Sequence, residues 1–345
     1  ADISARVMRT LEELAPAVEI YSIDEAFLDV SGMTSVMALS DFGHMIRSRI
    51  LQWIGIPVCV GIAPTKTLAK LANHAAKTWS KTGGVVDLTE PSRQRKLMAL
   101  LPVSEVWGIG RRLTTQLAKM EIHTALQLAD ASPKYIRQHY SVVVERIVME
   151  LNGQSCLGLE QIPATKQEIV SSRSFGERVT TQACMQEAVA EYVHRACGKL
   201  RQEGCLAKRI SVFIRTSPFS DPQADPYYAN HRSLELVMPS DDTRDFLQAA
   251  STLLTAIWKD GFRYAKAGVM LSDFYPPEMC QQDLFSATDR IRGNSRLMKV
   301  IDQINEQAPN SLYFASKGST QRWAMKREML SPAYTTRWNA LPKVK

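Results

Sequence analysis

The chain has 345 residues, 45% of them hydrophobic and 22% charged, which is the composition of a globular protein with roughly two to three domains, each large enough to bury a core. Lysine and arginine number 42 against 35 aspartates and glutamates, and the net charge of +7 favours a polyanionic partner, first nucleic acid and second a membrane surface. The longest apolar run, residues 54–63, is too short to span a bilayer, and the six scattered cysteines form neither a CxxC pair nor a cluster with zinc spacing. We therefore predict a cytoplasmic protein with reduced thiols and no membrane span.

Residues 1–88 alternate helical and strand patterns and predict an α/β block. The chain opens with an amphipathic helix, in which Ile3, Val7 and Leu11 fall at helical spacing. Because this helix is already under way at the first residue, and because that residue is not methionine, we expect the chain to begin inside a domain.

The rest of the chain falls into three blocks and a connector. Residues 89–160 are almost entirely helical, and residues 161–167 form a basic, polar connector. Residues 168–274 have the pattern strand, helix, strand, strand, helix, strand, which predicts an α+β domain with two helices over one face of a four-stranded antiparallel sheet and the other face open. Residues 275–345 are rich in proline and polar residues and predict a tail with some short helices.

The segment Tyr21–Asp29 contains the adjacent acids Asp24 and Glu25 between two strand-like stretches. Neighbours in a straight strand point to opposite faces, but at the tip of a hairpin their side chains can converge. Two converging carboxylates repel each other unless a proton or a cation lies between them, and Mg²⁺ binds one or two carboxylates together with phosphate oxygens. The pair is therefore a candidate catalytic metal site for phosphoryl transfer, and the alternative is an ordinary solvated turn.

A strand that leads into a helix follows at Gly61–Lys77. Lys66, Lys70 and Lys77 share one face of this helix with Asn73, away from the apolar face. A row of ammonium groups beside a carboxylate–metal site can hold a triphosphate. Taken alone, the same helix is better explained by a solvated basic face.

Residues 101–113 predict the end of one helix, a Gly-x-Gly hairpin and the start of a second helix. Gly108 and Gly110 let the backbone approach a phosphate closely, and the free N–H groups at the following helix start favour an anion. Arg111 and Arg112 lie at that helix start. This is the helix–hairpin–helix pattern of sequence-independent binding to the DNA backbone, and the alternative is an ordinary glycine-linked pair of helices.

The tail contains the pentapeptide Gln281–Phe285, which follows two prolines. The polar Gln281 and the apolar anchor of Leu284 and Phe285 have the form of a short peptide that docks into an apolar pocket of a partner. The alternative is a local turn that packs the two apolar side chains on their own domain.

In this order the four motifs resemble those of the Y-family DNA polymerases, and the resemblance covers most of the chain. It implies a partial palm at residues 1–88, a helical thumb with the helix–hairpin–helix at 89–160, and a little-finger domain at 168–274 whose open sheet face lies against duplex DNA. The function implied is error-prone translesion synthesis, in which a primer 3′-hydroxyl attacks the α-phosphate of a deoxynucleoside triphosphate on primer–template DNA.

The same resemblance assigns roles to residues of the motifs. Asp24 and Glu25 would bind two Mg²⁺ ions, Lys77 would bind the triphosphate, and residues 281–285 would bind the beta sliding clamp. Three further basic residues are predicted to contact DNA from the open sheet face: Arg173, Arg215 and Lys266.

Residues 312–345, with the segments Trp323–Arg327 and Leu330–Pro332, resemble the tail of UmuC-type subunits of DNA polymerase V and their plasmid-borne relatives. This resemblance implies action in the bacterial SOS response, associated with the nucleoid. The partners it implies are a processed dimer of a UmuD-type protein, a RecA filament and the clamp.

Members of this family begin with a strand that carries a further catalytic aspartate, followed by a bulky residue that excludes ribonucleotides and a small fingers domain. None of these lies ahead of Ala1, so we expect an N-terminally incomplete fragment that binds DNA weakly and does not itself synthesise DNA. Two alternatives stay open: a non-catalytic module that binds DNA and the clamp, and a helix–hairpin–helix glycosylase or nuclease. The glycosylase or nuclease is less favoured, because the acidic pair precedes the hairpin and no base-flipping signature follows it.

Overall fold

The protein divides into two units. The first comprises residues 1–163 with 332–345, and the second comprises residues 164–331. None of the helices in the described part of the chain is long and apolar enough to cross a membrane. The computed structural model describes residues 2–160, 165–221, 223, 225–279, 290–308, 310–318, 323–326 and 329–342.

The first unit begins with an α/β part. Its helices and strands, in chain order, are α1 (Asp2–Leu14), β1 (Ala17–Ile20), β2 (Ala26–Asp29), α2 (Leu39–Ile54), β3 (Val60–Ile62), α3 (Lys66–Thr78) and β4 (Val85–Asp87). The predicted opening helix is confirmed, and α1 buries Met8 and Leu11 in the same apolar cluster as Ile50 of α2. This cluster supports the strands that carry the acidic pair.

The strands of this part form two separate pairs. β1 and β2 form an antiparallel hairpin in which Ala17 pairs with Asp29, and β3 and β4 form a parallel pair in which Val60 lies opposite Val85. Within the described residues no strand joins the two pairs. A mainly apolar cavity of about 180 Å³ lies between them, lined by α1, α2, β2 and β3. Each pair therefore keeps strand edges that have no ladder partner among the residues described.

The rest of the first unit is mainly helical. Its α-helices are α4 (Pro91–Leu100), α5 (Arg111–Ala118), α6 (Ala125–Ala129), α7 (Pro133–His139) and α8 (Val142–Leu151). They share one apolar cluster with α3, in which Leu71, Leu117 and Val148 are fully buried. The helix that carries the predicted lysine row is thus packed into the same core as the helical part.

The second unit is built on a sheet. Its elements are β5 (Glu168–Val179), α9 (Gln182–Gln202), β6 (Leu206–Arg215), β7 (Ala229–Ser240), α10 (Thr243–Ile257) and β8 (Tyr264–Tyr275). The strands are antiparallel in the order β5-β8-β6-β7, and this confirms the predicted four-stranded antiparallel sheet. Tyr192 of α9 and Phe246 of α10 are fully buried in one cluster with Val212 of β6, so both helices pack on the sheet.

The chain beyond the sheet contains more regular structure than the predicted short helices. α11 spans Arg290–Gln307, and its Met298 and Ile301 are buried. Asp302 of this helix accepts two hydrogen bonds from the guanidinium of Arg201 on α9, at 2.6 and 2.8 Å. The prediction of some short helices was wrong for the length of α11, because the many polar residues of this segment obscured the helical spacing of its apolar residues.

Candidate active site and nucleic-acid interface

The loop between β1 and β2 carries the predicted acidic pair. The backbone carbonyl of Glu25 accepts hydrogen bonds from the N–H groups of Tyr21 at 3.1 Å and Ser22 at 3.0 Å, which close the loop. The Ser22 hydroxyl donates to Asp24 Oδ1 at 2.6 Å, and Asp24 is exposed. The hairpin tip thus offers the Asp24 carboxylate to solvent in an orientation that Ser22 supports.

The second acid of the pair contacts α3. Oε1 of Glu25 lies 2.6 Å from Nζ of Lys70, whose side chain is only 19% exposed. The Lys70 ammonium offsets the charge of Glu25 and so reduces the repulsion between the two adjacent carboxylates. The structure therefore brings the acidic pair and one member of the predicted lysine row together.

A second carboxylate–lysine pair lies beside the first and was not predicted from the sequence. Glu19 of β1 pairs with Lys66, and each side chain is 11% exposed. The backbone N–H of Glu160 also donates to Oε2 of Glu19, at 2.6 Å, and the Lys66 ammonium lies 5.1 Å from the centroid of the Phe27 ring. The sequence did contain a signal for this pair: Glu19 is the one charged residue of a four-residue strand that is otherwise apolar, and a buried charge needs a partner.

The start of α3 is fixed by a carboxylate from α8. Glu150 is fully buried, and its Oε2 accepts a hydrogen bond from the N–H of Thr67 at 3.0 Å. The Thr65 hydroxyl donates to the backbone carbonyl of Glu150 at 2.8 Å. A negative charge at a helix N-terminus is stabilising. Glu150 therefore stabilises the start of α3, the part of the helix that carries Lys66 and Lys70.

Lys77, the predicted triphosphate ligand, lies at the other end of α3. It is seven residues beyond Lys70, which places it roughly 10 Å farther along the helix axis. Lys77 is exposed, and it has no ion pair or hydrogen bond with the residues that the structure describes. The hairpin therefore contacts Lys66 and Lys70 rather than Lys77, whose role stays a prediction.

The acidic pair fits a divalent cation by its donor chemistry, since Mg²⁺ takes one or two carboxylates and completes its shell with water or phosphate oxygens. Across the described ranges, no group of three or more His, Cys, Asp or Glu side chains is placed to hold a metal. Asp29 does not extend the pair: it is exposed at the end of β2, where hydrogen bonds from the hydroxyl and the N–H of Ser31 lower its pKa. Asp24 and Glu25 thus remain the two predicted metal ligands among the described residues of the hairpin.

The glycine-rich turn leads directly into α5. Gly108 has φ of +91°, and a Cβ atom there would lie 2.8 Å from Cδ1 of Ile147, so this position requires glycine. Gly110 is the N-cap of α5, and Arg111 and Arg112 follow as exposed residues of its first turn. Free helix N–H groups and two guanidinium groups thus occur together, which is the arrangement that favours a phosphate. DNA binding at this turn stays a prediction.

The predicted basic residues of the sheet do not all share one face. Arg215 of β6 and Lys266 of β8 lie directly opposite each other, out of phase with the buried Ala267. Arg173 of β5 pairs with Ala267 itself and is in phase with the buried Phe175, so it belongs to the helix-covered face. Its predicted place on the open face was wrong, because Arg173 alternates in phase with the residues of β5 that face the helices.

Family models match three parts of this chain. The model described as the impB/mucB/samB family matches residues 1–74, and the model of that family's C-terminal domain matches residues 166–284. Residues 295–344 match a domain of unknown function. The first two matches include the acidic hairpin and the four-stranded sheet.

Relatives with known names resemble the whole chain. Protein UmuC of Salmonella typhimurium is 52% identical over 347 residues, which cover 100% of this chain and 82% of that protein. Protein SamB of Salmonella typhimurium is 50% identical over 347 residues, which cover 100% of this chain and 81% of that protein. Among solved structures, a chimera of the Y-family DNA polymerase Dbh superposes with a TM-score of 0.59 at 21% identity, covering 79% of this chain and 75% of the chimera. At that identity the structural likeness concerns the fold alone.

Proposed function

The chain belongs to the impB/mucB/samB family, and on that premise we propose that Asp24 and Glu25 hold the metal ions for template-directed nucleotidyl transfer. Relatives that are 50–52% identical over the whole chain, together with a Y-family fold, make the protein an error-prone, translesion DNA-directed DNA polymerase of SOS mutagenesis. The observation that supports the site is the adjacent carboxylate pair at the hairpin tip, with Lys70 against Glu25. The test is metal-dependent primer extension by the protein at its full natural length and by its carboxylate variants.

The reaction depends on a divalent metal, and we assign two Mg²⁺ ions to this carboxylate pair. Asp24 and Glu25 would hold these ions, and the chemistry so supplied would be stabilisation of the attacking and leaving oxygens of the phosphoryl transfer. The chain's own residues present the ligands: Ser22 orients Asp24 through its hydroxyl, and Lys70 offsets the charge of Glu25 while no cation is bound. The site is therefore preorganised before substrate arrives.

The edges of β2 and β3 border the cavity between the two strand pairs of the α/β part. Within the described residues, β2 and β3 have no ladder partner on the sides that face each other, and the cavity between them is mainly apolar. Asp24 and Glu25 belong to the lining of the same cavity. A strand in this place would complete the sheet and bring its own side chains beside the acidic pair, where the resemblance puts the family's further catalytic aspartate.

The lysine face of α3 is proposed to neutralise the triphosphate of the incoming nucleotide. Lys66 and Lys70 already contact carboxylates of the hairpin, whereas Lys77 is free to meet an anion at the far end of the helix. An ammonium group without a carboxylate partner is the better phosphate ligand, because no existing ion pair has to be broken. This favours Lys77 for the triphosphate and leaves Lys70 to position Glu25.

The grip on DNA is proposed to be electrostatic, and replacing Arg111 and Arg112 together by alanine tests it. The double variant is expected to bind primer–template DNA about tenfold more weakly at low salt and to lower the slope of log affinity against log salt by about two, because two phosphate contacts no longer release counterions. Sequence preference should not change, since backbone contacts carry no base information. Fluorescence anisotropy over a salt series, with DNA of two different sequences, measures the affinity, the salt slope and the sequence preference.

A matched control for this prediction removes the same charge from the same helical part. Arg95 and Arg137 each pair with a carboxylate, Asp130 and Glu145 respectively, so their replacement by alanine should leave the salt slope nearly unchanged. Equal slopes for the two double variants, or an affinity of the unaltered protein that does not depend on salt, would contradict the proposed role of the turn.

The proposed clamp-binding peptide, Gln281–Phe285, lies outside the described residues. Replacing Leu284 and Phe285 by alanine is expected to remove stimulation of synthesis by the beta sliding clamp while sparing synthesis without the clamp, because the apolar anchor is lost and the polymerase core is not touched. Primer extension with and without clamp measures this, with Gln282→Ala as the control inside the same peptide. Undiminished clamp binding by the double variant would leave a packed local turn as the explanation.

The substrates are DNA and nucleotides, as the polymerase relatives and the fold support. We propose primer–template DNA and deoxynucleoside triphosphates as their specific forms. We further propose three protein partners: the beta sliding clamp, a processed dimer of a UmuD-type protein and a RecA filament. These partners would place the protein with the nucleoid during the SOS response.

A further inference from the structure

Tyr21 and Trp107 connect the acidic hairpin with the segment that leads into α5. The Nε1–H group of Trp107 donates a hydrogen bond to the Tyr21 hydroxyl at 3.2 Å. The two rings meet edge to face at 90°, with centroids 5.4 Å apart, and the Phe27 ring lies 5.8 Å from each of them. Tyr21 and Trp107, which are 86 positions apart in the sequence, thus contact each other through both a hydrogen bond and an edge-to-face ring contact.

This aromatic cluster lies against the ammonium group of Lys70. The Lys70 Nζ atom is 4.8 Å from the Tyr21 centroid and 5.7 Å from the Trp107 centroid, while its distance to Oε1 of Glu25 is 2.6 Å. A cation over aromatic faces is attracted by the ring quadrupole, and the attraction grows as water is excluded. The two rings therefore restrain the lysine that holds Glu25.

Packing stability alone does not account for this arrangement. Tyr21 is 44% exposed, and its neighbours Ile20 and Ile23 are more exposed still, so this loop contributes little to the buried core. Trp107 immediately precedes Gly108, whose positive φ forms the bend at the start of the turn 108–112. The Trp107 indole therefore lies directly beside the turn 108–112, which we propose contacts the DNA backbone.

We propose that Tyr21 and Trp107 are positioning residues that hold Lys70 against Glu25 and set the acidic hairpin relative to the turn 108–112. This inference rests on the proposed function, because it takes Glu25 as a metal ligand and the turn as a DNA contact. DNA bound at the turn restrains Trp107, and Trp107 restrains Glu25 through Tyr21 and Lys70. The carboxylate ligand is then best oriented when the DNA backbone is in place.

The conservative variants Tyr21→Phe and Trp107→Phe each keep an aromatic ring and remove one partner of the hydrogen bond. In the protein at its full natural length, each is expected to lower the incorporation rate at saturating nucleotide by about fivefold to tenfold, which corresponds to one lost hydrogen bond. The affinity for primer–template DNA should stay unchanged. The double variant should be no slower than the slower single variant, because both changes remove the same contact.

Trp107 also provides a measurement that does not depend on turnover. The difference in fluorescence emission between the unaltered protein and Trp107→Phe reports this one indole. Lys70→Met should alter that emission by removing the cation from the ring, and it should abolish the further effect of Tyr21→Phe on the rate. The matched control is Trp53→Phe, which removes a half-exposed indole whose cation is Arg49, at 4.6 Å, and should leave the rate unchanged.

Four results would overturn the positioning role: additive rate losses in the double variant, a loss of DNA affinity as large as the loss of rate, Trp107 emission that is insensitive to Lys70→Met, or a full rate of incorporation by Tyr21→Phe. Failure of the proposed function is separately visible, because it would appear as full incorporation by Asp24→Asn. If Asp24→Asn is inactive and Tyr21→Phe keeps the full rate, only the positioning inference is lost.

Discussion

Replacing Asp24 by asparagine, or Glu25 by glutamine, is expected to lower nucleotide incorporation by the full-length protein by about three orders of magnitude or more. Each amide keeps the shape of the side chain but loses the charge that holds a cation, and metal stabilisation of the transition state amounts to several kcal/mol. Affinity for primer–template DNA should stay nearly unchanged, because the carboxylates hold metal rather than the duplex. Single-turnover primer extension over a Mg²⁺ series measures the rate, and anisotropy measures the affinity.

The same hairpin supplies the matched control for this prediction. Asp29 is an exposed acid at the end of β2, and its Oδ1 accepts a hydrogen bond from the N–H of Ser31 at 2.8 Å. Asp29→Asn should therefore keep most of the rate. Substantial incorporation by Asp24→Asn or Glu25→Gln at saturating Mg²⁺ would show that this carboxylate pair is not the metal site.

The parts of the site that could be predicted from the sequence depend on short-range patterns. The acidic hairpin follows from two strand-like stretches around Asp24 and Glu25, and the lysine face of α3 follows from helical spacing between Lys66 and Lys77. The individual strands of the sheet follow from alternation within each strand, whereas their order β5-β8-β6-β7 joins distant parts of the chain. The hairpin, the lysine face and the individual strands are each determined by residues within a few positions of one another, so local patterns predict them.

The contacts that orient the site join distant parts of the chain and could not be predicted in this way. Lys66 is 47 positions from Glu19, and no local pattern pairs them. The hydrogen bond between Trp107 and Tyr21 depends on how the helical part packs beside the hairpin. The face of Arg173, in contrast, follows from a local pattern: Ile169 and Phe175 are apolar residues of the same strand in phase with Arg173, and both are buried.

The second large expected effect concerns residues 295–344, the segment that matches a domain of unknown function. Lys317 lies 2.8 Å from Oε2 of Glu191 on α9, and the two side chains are only 7% and 3% exposed. Trp323 is buried nearby, with its ring 5.6 Å from that of Tyr192 in an edge-to-face contact. Lys317 and Trp323 thus attach this segment to α9 through a buried ion pair and a buried indole.

Glu191→Gln is expected to lower the free energy of unfolding of the second unit by about 3–5 kcal/mol, because it leaves a buried ammonium group without its carboxylate. The remaining hydrogen bond, from Lys317 to Oδ1 of Asn310 at 3.0 Å, does not neutralise that charge. Arg195, the other partner of Glu191, is 43% exposed and can turn to solvent, so most of the cost falls on Lys317. Hydrogen–deuterium exchange in α9 over a urea titration of the whole chain measures the change.

Two further variants separate the buried pair from general damage to this segment. Replacing both partners by apolar residues, Glu191→Leu with Lys317→Met, should restore most of the lost stability, because no uncompensated charge stays buried. Lys326 pairs with Glu177 at 3.0 Å, but the side chains are 59% and 67% exposed, so Lys326→Met should cost less than about 1 kcal/mol. If Glu191→Gln proves no more destabilising than Lys326→Met, the buried ion pair is not what attaches this segment to α9.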